Sequence, residues 1–172
     1  MKLSEVATYN PDTVLGTEVR IRNWLDTNHI RDYNILDNLV VDVKGSVDLE
    51  STDRTILPVQ FGYVDGNFDC YGSALKSLRG FPNRIGGNLY LYDSHIYSLH
   101  GIEKIITHIG GGLVINPTVT HLLGLLLIEL GEFSIDDNGP LDEIMNKYKN
   151  TGDILAAQDE LLDAGFKAQA RL

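Results

Sequence analysis

The side chains in this sequence best suited to metal binding or covalent chemistry are five histidines and one cysteine. A zinc site usually takes two such ligands three or four residues apart, with a second pair or a carboxylate nearby. No two of the histidines have that spacing, so we predict no metal site and expect surface or turn positions. The histidines are His29, His95, His100, His108 and His121.

The cysteine stands in an apolar, alternating segment, two residues after Phe68. A reactive thiol needs nearby positive charge to lower its pKa, and no basic residue flanks Cys70. We interpret Cys70 as a small apolar packing residue. A lone cysteine also leaves no disulfide within the chain, which suits a reducing cytosol.

Two further patterns have a catalytic or cofactor-binding interpretation. The glycines at 110–112 suggest a phosphate loop, but no Lys-Ser or Lys-Thr follows and no helix begins there. The adjacent acids Asp136 and Asp137 are expected to end a strand rather than flank a substrate. We therefore predict no catalytic residues and no cofactor. A non-enzymatic protein is favoured, and an enzyme with an unrecognised site is the less favoured alternative.

The composition is that of an acidic globular protein. The chain has 172 residues, of which 43% are hydrophobic, and a net charge of −10. That charge argues against direct nucleic-acid binding and favours a partner with a basic surface. The longest apolar run, at 121–133, is shorter than the ~20 residues of a membrane span. The first thirty residues lack a signal-peptide pattern. We expect a soluble cytoplasmic protein without membrane association.

A period of 21 residues organises the middle of the chain. Glycines at Gly45, Gly66 and Gly87 mark three copies, a fourth copy follows after three inserted residues, and a partial fifth begins at Gly131. A unit this short cannot bury its apolar face alone, but stacked units bury a continuous core. The repeat therefore predicts a solenoid. We expect the glycines to adopt a positive φ where the chain enters each strand.

Apolar and polar residues alternate after each glycine, which is typical of a strand with one buried face. The predicted inward columns are Val47, Phe68, Leu89, Leu113 and Phe133, then Leu49, Cys70, Leu91, Ile115 and Ile135. A hydroxyl column follows at Thr52, Ser73, Ser94 and Thr118. Such hydroxyls could bond to turn amides from copy to copy. A last apolar column stands at Leu57, Leu78, Leu99 and Leu123.

Both ends of the repeat array carry patterns typical of caps. An amphipathic helix is predicted within 17–28, with Val19, Ile21, Trp24 and Leu25 on its apolar face, and a hairpin turn at 37–38 follows. Two C-terminal helices are predicted, the first beginning at Pro140 and the second capped by Asp153. The second is expected to pack through Ile154, Leu155, Leu161 and Leu162.

We predict a single domain, 1–172, of the α+β class: an α/β solenoid of about four to five rungs. An N-terminal helix and strand cap spans 1–42, the repeat array 43–136 and a C-terminal helical cap 137–172.

The segments "SLRGFPNRIGG" (77–87) and "DILAAQDELLDAGF" (153–166) resemble short leucine-rich repeat proteins of tailed bacteriophages. Those proteins combine glycine-led repeats with a helical C-terminal tail, and the resemblance covers about 42–172. It implies a leucine-rich-repeat solenoid and a viral protein acting in the host cytoplasm, and it implies no catalytic residues. Each copy ends in an apolar return segment, which leads from the turn back to the next strand. The fourth copy departs from the family pattern, since "NPTVTHLLGLLLIEL" replaces the usual return segment.

The alternation that buries one strand face exposes the other, and this outward face is the predicted binding site. Tyrosines supply large contact area at low entropic cost, and nearby acids would attract a basic partner. The predicted site residues are Asp48, Glu50, Asp69, Tyr71, Asn88, Tyr90, Tyr92 and Asn116. A purely structural role for the tyrosines is the alternative, since aromatic residues fit a pleated surface.

The sequence thus favours a module that binds a host or phage protein during infection, in host takeover or in blocking a defence. A minor structural or assembly protein of the virion is the alternative, and self-association is a further possibility. A second contact surface could lie on the return side, where Lys76, Arg79, Arg84 and Lys104 form a basic group.

Overall fold

The computed structural model describes residues 15–135 and 139–172, and it shows a β-solenoid of about five turns with three α-helices. The predicted small solenoid is confirmed at this level. The expectations for residues 1–14, for Asp136 and Asp137, and for the boundary between array and C-terminal cap lie outside the described residues.

Two parallel ladders run along the solenoid, and each turn contributes a strand segment to both. Strand β1 (Tyr33–Ile35) pairs antiparallel with the first turn, and all other pairings are parallel. The first three turns contain β2 (Val40–Val43) and β3 (Val47–Asp48), β4 (Gln60–Val64) and β5 (Phe68–Asp69), and β6 (Arg84–Ile85) and β7 (Leu89–Tyr90). The last two turns contain one longer strand each, β8 (His108–Ile115) and β9 (Glu129–Ile135).

The register of these ladders follows the 21-residue period of the sequence. Val43 pairs with Val64, Val64 with Ile85, and Phe68 with Leu89. Ile85 pairs with Ile109, so the three inserted residues lie in the third turn, whose return segment contains a 3₁₀ helix at Ile102–Lys104. The fourth return segment contains a second 3₁₀ helix, Leu123–Leu127.

The predicted inward columns form the core. All of their members are buried, including the lone cysteine and the leucine column of the return segments. An aromatic chain runs through the first turns, with ring centroids 6.4 Å apart for Trp24–Phe61, 5.3 Å for Phe61–Phe68 and 5.2 Å for Phe68–Phe81. Because burial of each large apolar side chain contributes about 1.5–3 kcal/mol, the stacked columns provide the main stabilisation of the array.

The glycine column has a different cause from the expected one. None of Gly45, Gly66 and Gly87 lies in the left-handed region, so the expectation of a positive φ is wrong. A Cβ on Gly66 would lie 2.9 Å from the carbonyl carbon of Gly45, and one on Gly87 would lie 2.8 Å from that of Gly66. The amides of Gly66 and Gly87 donate to the preceding glycine carbonyls at 3.0 and 2.9 Å. At Gly66 and Gly87 the column is glycine because successive turns stack backbone against backbone, whereas a Cβ on Gly45, in the first turn, would meet no atom within 4 Å.

The hydroxyl column does not form the expected ladder between turns. The amides of Ala74 and His95 donate instead to the backbone carbonyls of Thr52 and Ser73 in the preceding turn, at 2.8 and 3.2 Å. The Ser73 hydroxyl is buried and has no hydrogen-bond partner among the described residues. Thr118 is exposed. Backbone groups therefore supply the contacts that the sequence predicts for the hydroxyls.

Helix α1 (Glu18–Thr27) covers the N-terminal end of the core. The Thr17 side chain accepts a hydrogen bond from the Arg20 amide and thereby caps the helix. Ile21, Trp24 and Leu25 are buried, but Val19 is 69% exposed, so its assignment to the apolar face is wrong. The predicted hairpin is confirmed, with β1 and β2 joined through residues 36–39.

Two helices cover the other end, α2 (Pro140–Tyr148) and α3 (Ile154–Asp163). The Asp153 carboxylate caps α3 by accepting from the Ala156 amide. Ala157 and Leu161 are the buried residues of α3. Leu155 is 74% exposed and Leu162 is also exposed, so their assignment to the packed face is wrong.

Helix α2 also hydrogen-bonds to the outer edge of β9. The Asn146 amide group donates to the Phe133 carbonyl at 2.6 Å and accepts from the Phe133 N–H at 2.9 Å. Asn150, after the helix, makes the same pair of bonds with Leu130 at 2.9 and 3.3 Å. Side chains thus take the place of a further strand and protect the sheet edge from pairing with another chain.

Candidate functional site: the outward sheet face

One of the two ladders runs through β3, β5, β7 and the C-terminal parts of β8 and β9. The outward side chains in and beside these strands form three columns, which together we call the sheet face. Column A contains Ser46, Asn67, Asn88, Gly112 and Glu132. Column B contains Asp48, Asp69, Tyr90, Val114 and Ser134. Column C contains Glu50, Tyr71, Tyr92 and Asn116. The structure therefore brings all eight predicted site residues onto one surface.

Column A holds the turns in register. The Ser46 hydroxyl accepts from the Asn67 amide at 3.0 Å, and the Asn67 side-chain carbonyl accepts from the Asn88 amide at 2.9 Å. The Asn88 side-chain carbonyl then accepts from the Gly112 amide at 2.6 Å. Asn88 therefore has a structural role in addition to the binding role that the sequence predicts for it. The ladder of side chains stops at Gly112.

The acids of column B are held by their own strands. The Asp48 carboxylate accepts from the Glu50 amide at 3.0 Å, and the Asp69 carboxylate accepts from the Tyr71 amide at 2.9 Å. Each carboxylate is fixed by one bond and retains acceptor capacity for an incoming donor. Asp48 and Glu50 are exposed, and Asp69 is half-buried.

Two tyrosines of column C stack on each other. The ring centroids of Tyr71 and Tyr92 are 5.9 Å apart and their planes differ by 13°. Tyr71 is 42% exposed, and Tyr92 is half-buried. In column B the Tyr90 hydroxyl accepts from the Asn88 side-chain amide at 2.8 Å, so its own proton can be donated outward. The three rings give the face a rigid aromatic centre.

An open concavity of about 510 Å³ lies beside this aromatic centre, at the C-terminal end of the sheet face. Of the eight predicted residues, Asn88 and Tyr90 line it. Its other lining residues are Gly110, Gly111, Gly112, Val114, Gly131, Glu132 and Ser134. We did not predict this concavity. The signal in the sequence was the concentration of glycines in the fourth and fifth copies, where side chains are missing from neighbouring strands.

The structure bears on two chemical interpretations of the sequence, a reactive cysteine and a metal site. Burial raises the pKa of the Cys70 thiol well above its ordinary value, and the nearby carboxylates Asp69 and Asp48 raise it further. The thiol is therefore held in its unreactive, protonated form. Among residues 15–135 and 139–172, no group of three or more His, Cys, Asp and Glu side chains is placed to hold a metal ion.

Two histidines that are distant in sequence meet near the C-terminal tail, and we did not predict this contact. The rings of His100 and His121 are 5.4 Å apart, and the His121 ring nitrogen lies 3.1 Å from the Ser98 hydroxyl. Burial, then His100 and Arg171, lower the pKa of His121. Ser98, His100 and His121 belong to the segments that follow the strands of the third and fourth turns, and Arg171 belongs to the C-terminal tail.

Comparison of the chain with protein-family models, curated proteins and solved structures gives no match. The helices in the described part of the chain are all too short or too polar to cross a membrane.

Proposed function

We propose that this protein is a non-enzymatic binding module whose sheet face holds a protein partner. The observation that carries the proposal is the stacked Tyr71–Tyr92 pair, of which Tyr71 is exposed and Tyr92 half-buried, on a backbone that is hydrogen-bonded from turn to turn. Tyrosine is enriched among the residues that dominate binding energies, and a ring fixed before binding loses little entropy on contact.

The charge around the tyrosines supports a basic partner surface. Asp48, Glu50 and Asp69 neighbour the stacked pair on the first two turns, and the whole chain has a net charge of −10. Complementary charge steers association and disfavours acidic partners. A basic protein surface therefore fits the face better than a neutral or acidic one.

The biological setting of the proposal comes from the resemblance of 77–87 and 153–166 to phage leucine-rich repeat proteins. We propose that the turns are repeats of this kind, which the 21-residue register of the ladders supports. On that basis the partner is a host or phage protein met in the host cytoplasm during infection, in host takeover or in inhibition of a host defence.

A comparative pull-down tests the proposal. The tagged chain and a Tyr71→Ala/Tyr92→Ala variant are incubated with lysates of infected and uninfected host cells. Tyr97→Ala is the matched control, since Tyr97 is 59% exposed but contacts His95 outside the sheet face. All proteins are first shown to have the same circular dichroism and unfolding midpoint. We expect one protein to be retained by the wild type and by the Tyr97 variant, and lost by the double variant.

The other outcomes are also informative. A partner that the double variant retains would move the contact surface to the return side or the helical ends. Co-purification with virus particles would favour a structural or assembly role. Capture of the chain's own copies alone would show self-association, and the absence of any partner would make screening for enzymatic activity the next step.

A further inference from the structure

The concavity on the sheet face exists because one side chain is missing from column A. Serine or asparagine at this column in the first three turns covers the strand and bonds to the next turn. In the fourth turn Gly112 provides neither the cover nor the acceptor. The concavity therefore opens over Gly112, between Tyr90 on one side and Glu132 on the other.

The fold itself does not require glycine at this position. A Cβ on Gly112 would meet its nearest neighbours, Asn88 Oδ1 and the Glu132 carbonyl, at 3.5 Å, which is ordinary van der Waals contact, and its φ is not left-handed. By contrast, a Cβ on the preceding residue, Gly111, would lie 2.9 Å from the backbone of Gly87. Glycine in a strand interior destabilises the folded protein by about 0.5–1 kcal/mol relative to alanine. The bare backbone at Gly112 is therefore unfavourable for folding alone, and an occupant of the space would explain it.

The lining of the concavity has the chemistry of a site for a basic side chain. Glu132 is exposed and has no ion-pair or hydrogen-bond partner for its carboxylate among the described residues. Tyr90 offers an aromatic ring, to which a cation is attracted, and Val114 with the glycine floor suits the methylene stem of the same side chain. Lys149 is bonded to the Gly131 carbonyl of β9 and forms no ion pair with Glu132.

We propose that the concavity binds an arginine side chain of the protein partner, with its stem on the glycine floor and its guanidinium between Glu132 and Tyr90. Arginine suits the site better than lysine, since its planar group can both stack on a ring and donate two hydrogen bonds to one carboxylate. This inference rests on the proposed function and identifies the chemistry of the partner at one subsite.

The test uses the full chain, labelled with ¹⁵N, and two peptides as probes. The first is acetyl-Gly-Arg-Gly-amide, and the second replaces arginine by citrulline, which has nearly the same shape but no charge. Saturable amide shifts at Gly110, Gly112, Gly131 and Glu132 are expected with the arginine peptide only. Glu132→Gln should weaken its binding by about 1.4- to fivefold, the range of an exposed ion pair. Gly112→Asn should fill the concavity and remove binding.

Glu143→Gln is the matched control, since it removes the same charge from an exposed position on α2 and should leave binding unchanged. Equal shifts with both peptides, unchanged affinity in Glu132→Gln, or shifts located elsewhere would each overturn the inference. A partner protein whose binding requires Tyr71 and Tyr92 but is unchanged by Glu132→Gln would support the proposed function and overturn the arginine subsite. Specific arginine binding without any protein partner would support the subsite and count against the proposed function.

Discussion

Glycine has two separate roles among the residues of this solenoid. At Gly66, Gly87 and Gly111 it permits the backbones of successive turns to approach within 3 Å of a Cβ position. At Gly112 it leaves a space that a side chain could occupy without conflict. The repeat pattern places Gly112 in an outward column, one position after the glycine column, but it cannot show that a side chain would fit there.

Substitution of these glycines tests the distinction. Gly87→Ala should destabilise the protein by about 1–3 kcal/mol, since its methyl group would be forced into the backbone of the preceding turn. Gly112→Ala should have no effect or should stabilise the fold by up to about 1 kcal/mol. Urea unfolding of both variants beside the wild type measures the difference. Equal destabilisation by the two changes would contradict the two-role explanation.

Hydrogen bonds to exposed backbone groups join the terminal elements to the array, in addition to their buried apolar residues. At the edge of β9, the Asn146 side chain of helix α2 donates to the Phe133 carbonyl, and the Asn150 side chain, after the helix, donates to the Leu130 carbonyl. The return segment of the fourth turn bonds to the C-terminal tail, where the His121 and Leu122 amides donate to the carbonyls of Ala168 and Gln169 at 3.0 and 2.9 Å. These contacts make both the helical cap and the tail part of the solenoid end.

The edge contact predicts a specific loss of stability. Asn146→Ala leaves the N–H and C=O groups of Phe133 without their partner, which should cost about 1–3 kcal/mol. Glu143→Ala, on the exposed side of the same helix, is the control and should cost less than about 1 kcal/mol. Chemical denaturation compares the two. A cost for Asn146→Ala no larger than that of the control would show that α2 is held by its apolar residues alone.

The histidine contact at the tail predicts a dependence of stability on pH. Burial, His100 and Arg171 lower the pKa of folded His121 below the ordinary 6.5. Since the unfolded chain binds the proton more readily, the contribution of this group is fully present above pH 6.5 and is lost as pH falls through the lower, folded pKa. His121→Asn, which tolerates the φ of 60° at this position, should reduce the fall in unfolding midpoint between pH 7.5 and 5.5. An identical fall in wild type and variant would refute this role.

The solenoid as a whole was predictable because the same sequence pattern recurs in every copy. The inward columns recur at a fixed interval, so the strands, their register and the buried face follow from the spacing of residues such as Phe68 and Leu89. The assignments of Val19 and Leu155 were wrong because an apolar residue at helical spacing need not meet a partner when the helix covers only the end of an array. The His100–His121 contact was not predictable, because it depends on the three-dimensional placement of different turns. The concavity was missed because the glycines at 110–112 were interpreted only as strand entry.

The overall charge predicts how a partner would associate. A net charge of −10 should attract a basic partner over distance, so the association rate constant should fall about tenfold as sodium chloride rises from about 0.05 to 0.5 M. The Tyr71→Ala/Tyr92→Ala variant should instead raise the dissociation rate, since short-range packing determines how long a complex lasts. Surface plasmon resonance with the captured partner separates the two rates. A salt-independent association rate would argue against electrostatic steering.

Site-specific photocross-linking shows whether the sheet face touches the partner. Tyr71 is replaced by benzoylphenylalanine in one protein and Tyr97 in another, and each is irradiated in the same infected-cell lysate. We expect one cross-linked protein with the probe at Tyr71 and none with the probe at Tyr97. A cross-link at Tyr97 alone would contradict the claim and place the interface outside the sheet face.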